Sequence, residues 1–285
     1  MKSKRGLLRI VGVLALLVLA AAGVGIARFR VQAGRAHTVP ERPLPRGDAS
    51  VELERGRHLV TGLAGCTECH GANLAGRVMD ESPLLTLSAP NITPHGVVRG
   101  YREADWVRVI LHGVDARGRN LLVMPAKELR TFSDQDVHAM IAYLRTAPPV
   151  DGDVPPTRVS WVGQALFGLL GEDLWPANSI AHDEPRAQLT TPKGATREHG
   201  QYLIGICRGC HGPELRGGLK HGPDAPPSAD ISPPAMAAWS REQLRDLLRN
   251  GKRRDGSTVN PAMPWRAIGQ VSDEELTAMW LALRQ

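Results

Sequence analysis

The chain has 285 residues, of which 42% are apolar, so it can form the hydrophobic cores of one or two domains. Its four cysteines are too few for a disulfide scaffold, and its 30 glycines and 22 prolines indicate a loop-rich globular protein. The formal net charge is +6, but residues 1–35 carry seven basic side chains and no acidic one, whereas residues 36–285 carry 28 basic and 29 acidic side chains. The positive charge therefore belongs to the N-terminal segment, and we predict no nucleic-acid partner.

The first predicted element is an apolar helix. Residues 10–27 contain neither a charge nor a proline, and four basic residues precede them. This length meets the roughly 17 to 25 residues of a membrane span and exceeds the roughly 7 to 15 apolar residues of a cleaved signal. We predict that residues 1–35 form a single-pass anchor in the inner membrane, with the rest of the chain on the periplasmic side. A cleaved export signal is the alternative, because residues 20–22 are all alanine.

The remainder of the chain contains an internal repeat. The segment that begins at Glu54 aligns with the segment that begins at Glu198, so that the letters CTECH meet CRGCH. At a constant offset of 139 residues, PNITP at 90–94 matches ADISP at 229–233. Two copies of one domain explain this pattern more economically than a solenoid.

Each copy is predicted to be mainly helical, which places the protein in the all-α class with two tandem domains, at 49–147 and 193–285. Each copy has a helix before its C-x-x-C-H motif, a middle helix that ends at a glycine and a last helix that begins at a serine. The last helix has apolar residues at the spacing of one buried face, and Ser272 with Glu275 has the pattern of a capping box. The predicted helices lie near residues 50–62, 103–112 and from 133 in the first copy, and near 196–206, 240–250 and from 272 in the second.

Residues 148–192 are predicted to link the two domains, because they contain seven prolines. Within this linker, the stretch TRVSWVGQALFGLLGEDLW is rich in apolar and aromatic side chains. We expect it to pack against the two domains, and contact with a membrane or a partner subunit is the alternative.

All four cysteines belong to two C-x-x-C-H motifs. This is the attachment motif of haem c. Thiols at positions i and i+3 lie on one side of a helical turn and can add to two vinyl groups of one porphyrin edge, while the adjacent histidine binds the iron. A zinc site or a redox dithiol uses C-x-x-C units without requiring a histidine after both. We therefore predict two covalently attached haems c, held by Cys66, Cys69 and His70 and by Cys207, Cys210 and His211.

The other axial ligand of each iron is predicted to be methionine. Met124 and Met263 each precede a proline in a predicted loop, 54 and 52 residues after the proximal histidine of their copy. A loop stiffened by proline can hold a thioether towards the iron. Met140 and Met279 repeat as well, but they lie on the apolar face of the last helix and are predicted to fill the core. Bis-histidine ligation is the alternative, and its candidates have no histidine counterpart in the other copy: His58, His95, His112 and His138.

The PNITP segment also contains a glycosylation sequon, Asn91-Ile92-Thr93. Its counterpart, Asp230-Ile231-Ser232, is not a sequon. We therefore interpret both segments as a shared loop around the haem edge, in which the polar side chain helps to order a propionate or the ligand loop.

With these motifs the sequence resembles the c-type cytochromes, and in particular the membrane-anchored dihaem cytochromes c found as electron-accepting subunits or partners of periplasmic dehydrogenases. The resemblance covers residues 49–285 and includes CTECH, PNITP, LHGVDARGR, the Met-Pro pair and FSDQDVHAMIAYLRTAPPV. It implies cytochrome c-like domains in which the first and last helices contact each other through glycines. It also implies iron ligation by His70 with Met124 and by His211 with Met263. Related subunits of alcohol and gluconate dehydrogenases usually carry a third haem domain, whereas we expect two here.

The ligands decide the predicted mechanism. Iron bound by histidine and methionine has no open position for a substrate, so we predict one-electron relay and no catalytic residues. We expect electrons to pass from a dehydrogenase or another donor to a respiratory-chain acceptor, which is an oxidase or a cytochrome. A dihaem peroxidase is the enzymatic alternative, although the similarity of the two Met-Pro loops argues against it. The dihaem subunit of a cytochrome oxidase is a third interpretation, since it also combines an anchor with two haem domains.

Overall fold

The computed structural model describes residues 2–171, 174–184, 190–220 and 225–284. Within these ranges the secondary structure is mainly helical, as predicted, with three short strands in addition. The elements are α1 (Lys2–Gly34), α2 (Ala49–Thr61), α3 (Cys66–His70), β1 (Arg77–Glu81), β2 (Leu85–Ala89), α4 (Glu103–His112), α5 (Ala126–Leu129), α6 (Asp134–Thr146), β3 (Arg158–Val159), α7 (Trp161–Leu170), α8 (Arg197–Leu203), α9 (Arg208–His211), α10 (Pro233–Met236), α11 (Arg241–Asn250), α12 (Trp265–Ile268) and α13 (Asp273–Leu283), with 3-10 turns at Pro176–Ser179 and Ile204–Cys207.

The predicted helix boundaries are confirmed where a local capping signal sets them. α4 and α11 end at Gly113 and Gly251, which adopt the left-handed conformation with φ of 63° and 64°. α6 and α13 begin after Ser133 and Ser272, whose hydroxyl oxygens accept hydrogen bonds from the first helical turn. The capping box is also present, since Glu275 Oε2 accepts a 2.8 Å hydrogen bond from the amide of Ser272.

In each copy the first helix crosses the last helix at a glycine. A Cβ atom on Gly56 of α2 would overlap the carbonyl of Ala139 in α6, and a Cβ on Gly200 of α8 would overlap the carbonyl of Ala278 in α13. This is the helix contact that the resemblance implies. The buried apolar side chains of both copies form one continuous cluster, so the two repeats share a single core.

The three strands were not predicted. β2 lies between β1 and β3 in an antiparallel sheet, with Leu85 opposite Val159 and Arg77 opposite Ala89. β1 is exposed along its whole length and β3 has two residues, so neither has the alternating apolar pattern that would reveal a strand. β3 lies in the predicted linker and attaches it to the first copy. Residues 172, 173 and 185–189 of that linker lie outside the described residues.

α1 is a helix of 33 residues in which Gly6–Gly34 is long and apolar enough to cross a membrane. An export signal near an N-terminus meets the same criterion. α7, the apolar helix of the predicted linker, packs along the C-terminal part of α1. The apolar linker segment therefore contacts the N-terminal helix as well as the first copy.

Candidate haem sites

Each C-x-x-C-H motif folds into a helical turn. α3 contains the whole first motif, while in the second motif a 3-10 turn ends at Cys207 and α9 continues to His211. The two cysteines of each motif, three residues apart, therefore lie on one side of a turn. Burial raises the pKa of the Cys66 and Cys207 thiols to about 12. This is the opposite direction from redox-active dithiols, in which one thiol has a lowered pKa.

The two motif histidines are held in the same way. Nδ1 of His70 lies 2.8 Å from the carbonyl oxygen of Pro90, and Nδ1 of His211 lies 2.7 Å from that of Ala229. Since a carbonyl oxygen only accepts, Nδ1 is the donor, and the lone pair of the ring in its neutral form lies on Nε2. Burial lowers the pKa of His70, although the hydrogen bond to Pro90 opposes this effect. The lowered pKa favours the neutral ring. Both rings thus offer Nε2 to a metal, with the backbone carbonyl fixing the tautomer.

A shared loop places the carbonyl that each histidine uses. Leu74 adopts the left-handed conformation with φ of 61°, and its carbonyl accepts a 2.9 Å hydrogen bond from the amide of Ile92. Leu215 has the same φ of 61° and accepts a 2.8 Å hydrogen bond from Ile231. Sequence reasoning missed both leucines, because a branched apolar side chain gives no signal for positive φ. The repetition shows that the two sites have the same backbone geometry.

Asn91 is almost fully buried in this loop. Its Oδ1 accepts hydrogen bonds from the amide and the hydroxyl of Thr93, at 2.9 and 2.8 Å. Its Nδ2 donates to the carbonyls of Val150 and Gly152, at 2.8 and 3.1 Å. The side chain therefore orders its own loop and joins it to the start of the linker, whereas contact with a haem propionate stays a prediction. Asp230 makes part of the same pattern by accepting a 2.8 Å hydrogen bond from the amide of Ser232.

The two methionine pairs occupy different environments. Met124 and Met263 are half-buried at the edge of the core, each directly before the proline that precedes α5 or α12. In both copies the amide two residues further on donates to the methionine carbonyl, at 2.7 and 2.8 Å. Met140 and Met279 are 1% and 2% exposed, which confirms that they fill the core. The first pair therefore keeps its thioethers at the surface of the core, where a buried cofactor can reach them.

The four histidines considered for bis-histidine ligation all have other neighbours. His58 lies 2.7 Å from Glu275, and His95 lies 2.7 Å from Asp151. The Nδ1 atoms of His112 and His182 are 2.9 Å apart, and His138 lies 3.5 Å from both Glu52 and Glu103. Across the described ranges, no three His, Cys, Asp or Glu side chains come together as a metal-ligand set, in contrast to what the zinc alternative requires. The donor set therefore fits haem c better than a zinc ion.

The second motif contacts the segment after Met124, and the residue Thr61 before the first motif contacts the segment after Met263. Glu128, four residues after Met124, packs on Gly209 between the cysteines of the second motif, where an added Cβ would overlap Cγ of Glu128. In the reverse direction, Thr61 precedes the first motif and bonds to Gln270 beyond the second methionine. The Thr61 hydroxyl lies 3.0 Å from Gln270 Oε1, and Gln270 Nε2 donates to the Thr61 carbonyl at 2.9 Å. Segments next to the two candidate sites thus meet at the interface between the copies.

A sequence model of the family described as cytochrome c oxidase, cbb3-type, subunit III matches residues 51–144 and 198–281. The chain belongs to this family of c-type cytochromes. The two matched ranges coincide with the two copies of the repeat, so each copy contains a cytochrome c region. Domains of this family bind haem c covalently.

This cytochrome c is similar to three curated dehydrogenase subunits. It is 29% identical to a nicotinate dehydrogenase subunit of Pseudomonas putida, over 81% of this chain and 21% of that protein. It is 26% identical to the fructose dehydrogenase cytochrome subunit of Gluconobacter japonicus, over 78% of this chain and 49% of that protein. It is also 26% identical to the gluconate 2-dehydrogenase cytochrome c subunit of Pantoea cypripedii, over 80% and 58%. The chain therefore spans about half, or less, of the length of these relatives.

Proposed function

We propose that the protein is a membrane-anchored dihaem cytochrome c that relays electrons from a dehydrogenase to a respiratory-chain acceptor. The observation that carries the proposal is the duplicated site. In both copies a C-x-x-C-H turn presents a histidine whose Nδ1 is held by a backbone carbonyl, and in both a half-buried methionine precedes a proline. We place the two haem domains at residues 49–147 and 193–285, joined by the linker at 148–192.

The residues of each site have separate roles. Haem c supplies one-electron redox chemistry when bound. In domain 1, Cys66 and Cys69 would attach the porphyrin through thioether bonds, and His70 Nε2 and Met124 Sδ would be the ligands of the iron. In domain 2, the corresponding residues are Cys207, Cys210, His211 and Met263. An iron held by both a histidine and a methionine would have no open position for a substrate, which favours relay over catalysis.

The contact between the two sites supports transfer within the molecule. Glu128 touches the second motif and Gln270 touches the segment before the first motif, so the elements that hold the two haems meet at one interface. The shared apolar core keeps these elements in a fixed relation. The geometry favours two haems that exchange electrons with each other over two independent carriers on one chain.

The proposed anchor is α1, with the haem domains on the periplasmic side of the inner membrane. A cleaved signal would remove the contact between α1 and α7, in which Gly25 lies against the backbone of Ala165. This specific packing supports a retained helix. The names of the relatives, which describe cytochrome subunits of fructose and gluconate dehydrogenases, support a dehydrogenase as the electron donor.

The proposal is tested by counting haems and identifying their ligands. The intact mass of the purified chain should exceed the polypeptide mass by two haems. Near-infrared magnetic circular dichroism should show a methionine-to-iron band, of which Met124→Ala and Met263→Ala should each remove one half while leaving both haems attached. A high-spin signal from either haem of the unaltered protein would instead support the dihaem peroxidase and contradict the relay.

A second candidate function is the dihaem subunit of a cytochrome oxidase, which the description of the matched family favours. The two candidates share the haem sites and differ in the partner. Affinity purification from detergent-solubilised membranes separates them, because dehydrogenase subunits should co-purify under our proposal and oxidase subunits under the alternative.

A further inference from the structure

α7 packs closely against the C-terminal part of α1. The backbones touch at small residues, since a Cβ on Gly25 would overlap the carbonyl of Ala165, and a Cβ on Gly168 would overlap the carbonyl of Gly25. Further along, Arg30 Nε donates a 3.1 Å hydrogen bond to Oε1 of Gln164. Close crossings at small residues are typical of helix pairs in membranes.

The exposed surface of α7 is apolar. Trp161 and Leu170 are 69% and 81% exposed, and Leu166 and Leu169 are 41% and 37% exposed. Gln164, the one polar side chain of the helix, is already engaged, because it accepts from Arg30 and donates a 2.9 Å hydrogen bond to the carbonyl of Val159. The four exposed side chains thus form an apolar surface that water solvates poorly.

This surface continues that of the proposed membrane span. The crossing at Gly25 lies only three residues, about 4.5 Å along the helix axis, from Arg28, the first charged residue after the apolar stretch of α1. α7 therefore lies where the hydrocarbon of a bilayer gives way to its headgroups. Trp175 packs on Phe29 of α1 at a ring-centroid distance of 5.4 Å, at the same level. These two rings are buried, whereas Trp161 at the start of α7 is exposed, and exposed tryptophan is enriched at this boundary in membrane proteins.

We propose that α7 is an interfacial membrane helix whose exposed residues Trp161, Leu166, Leu169 and Leu170 contact the lipids of the periplasmic leaflet. This inference rests on the anchor in the proposed function. It adds a second membrane contact, supplied by the segment between the two haem domains. Lipid is favoured over a protein partner because the surface is continuous with α1, which must itself face lipid.

The second contact orients the haem domains. Just before α7, the amide of Ser160 donates a 3.0 Å hydrogen bond to the carbonyl of Leu84, beside the β2–β3 pairing that holds this segment to domain 1. Just after α1, the amide of His37 donates to the carbonyl of Gly118 at 2.8 Å, again in domain 1. Two attachments prevent the rotation that a single tether allows, so domain 1 is held at the membrane surface in one orientation.

The test is photolabelling from the lipid phase. The full-length haem-loaded protein is reconstituted into vesicles of phosphatidylcholine and phosphatidylglycerol that contain an apolar diazirine, and labelled positions are found by peptide mass spectrometry. Leu166, Leu169 and Leu170 should be labelled to the same extent as α1. Val51 and Leu219, which are exposed on the haem domains, should be labelled at least about tenfold less, because the probe partitions out of water.

A charge variant gives the matched control. Leu170→Glu should reduce labelling of Leu166 and Leu169 by about tenfold and leave labelling of α1 and the haem absorption unchanged, whereas Val51→Glu should change none of these. Labelled α1 with unlabelled α7, or cross-links between α7 helices of two copies, would overturn the lipid contact and leave the anchor intact. Absence of label from both helices would overturn the anchor and the inference together.

Discussion

Arg55 of α2 and Glu275 of α13 are joined by a 2.6 Å hydrogen bond that connects the first helix of domain 1 with the last helix of domain 2. The same guanidinium donates to both carboxylate oxygens of Asp136 in α6, at 2.9 and 2.8 Å. His58 pairs with Glu275 at 2.7 Å, and the Tyr202 hydroxyl donates to Asp136 at 2.6 Å. Asp136 and Glu275 occupy equivalent positions of the repeat, as do His58 and Tyr202. The domains therefore exchange equivalent contacts across a pseudo-symmetric interface.

Glu275→Ala should weaken this interface, because Arg55 and His58 both lose a buried partner. The expected loss in the free energy of unfolding is about 3 kcal/mol, near the lower limit for a broken buried pair since Arg55 is partly exposed. Urea denaturation followed by haem absorption measures it. Glu214→Ala is the control, because its pair with Arg216 is exposed and should contribute less than about 1 kcal/mol. Equal losses for the two variants would contradict a structural role for Glu275.

The same carboxylate predicts acid sensitivity. Burial by itself would raise the pKa of Glu275, but hydrogen bonds from His58 and the Ser272 amide, together with the charge of Arg55, lower it from 4.5 to about 2. Because the folded-state pKa lies below the unfolded one, this contribution to stability is complete above pH 4.5 and is lost as the pH falls towards 2. As the pH is lowered from 6, the free energy of unfolding should therefore decrease more steeply for the unaltered protein than for Glu275→Gln. Parallel curves would show that Glu275 is not the group responsible.

Gly209→Ala should disturb the contact between the two haem sites. Its new Cβ would overlap Cγ of Glu128, and we expect a loss of about 1 kcal/mol because that side chain can partly move away. Glu128→Ala removes the overlapping atom, so the double variant should regain most of the loss. Electron exchange between the haems, measured after photoreduction, should slow in the single variant and recover in the double one. Additive effects would mean that the two residues do not interact.

Local signals in the sequence were sufficient for the helices that carry them. α4 ends at the predicted residue because Gly113 follows it in the left-handed conformation. The predicted helix at 196–206 is interrupted, however: α8 ends at Leu203 and a 3-10 turn leads directly into the second motif. The second copy is three residues shorter before its motif, so it lacks room for the separate turn that follows α2 in the first copy.

Tertiary relationships were beyond the reach of sequence patterns. The motifs indicated which histidines and methionines to examine, but the carbonyls that orient His70 and His211 belong to residues 20 and 18 positions away. Likewise, Arg55 is one basic residue on a polar helix face until Glu275, 220 positions later, is brought against it. The pairing of α1 with α7 depends on single glycines in two distant segments, which no local pattern connects.

Met279→Ala should separate core packing from iron ligation. Met279 is almost fully buried, so its truncation should lower the free energy of unfolding by about 2 to 5 kcal/mol. It should leave the methionine-to-iron band unchanged, since the side chain lies among the helices of the core. Met263→Ala should instead remove one half of the methionine-to-iron band. If Met279→Ala altered the band and Met263→Ala did not, the ligand assignment in domain 2 would be wrong.

Asn91→Asp tests what the buried amide contributes to the loop beside the first haem site. The substituted carboxylate keeps the acceptor for Thr93, but it places an oxygen where Nδ2 donates to the carbonyls of Val150 and Gly152. Two buried donors are replaced by repulsion between oxygens, so we expect a loss of about 2 kcal/mol in the free energy of unfolding. Asp230→Asn is the matched control, because the exposed acceptor for Ser232 is retained and stability should be unchanged. If both substitutions were neutral, the amide would not be what joins this loop to the linker, and its burial would follow from the backbone alone.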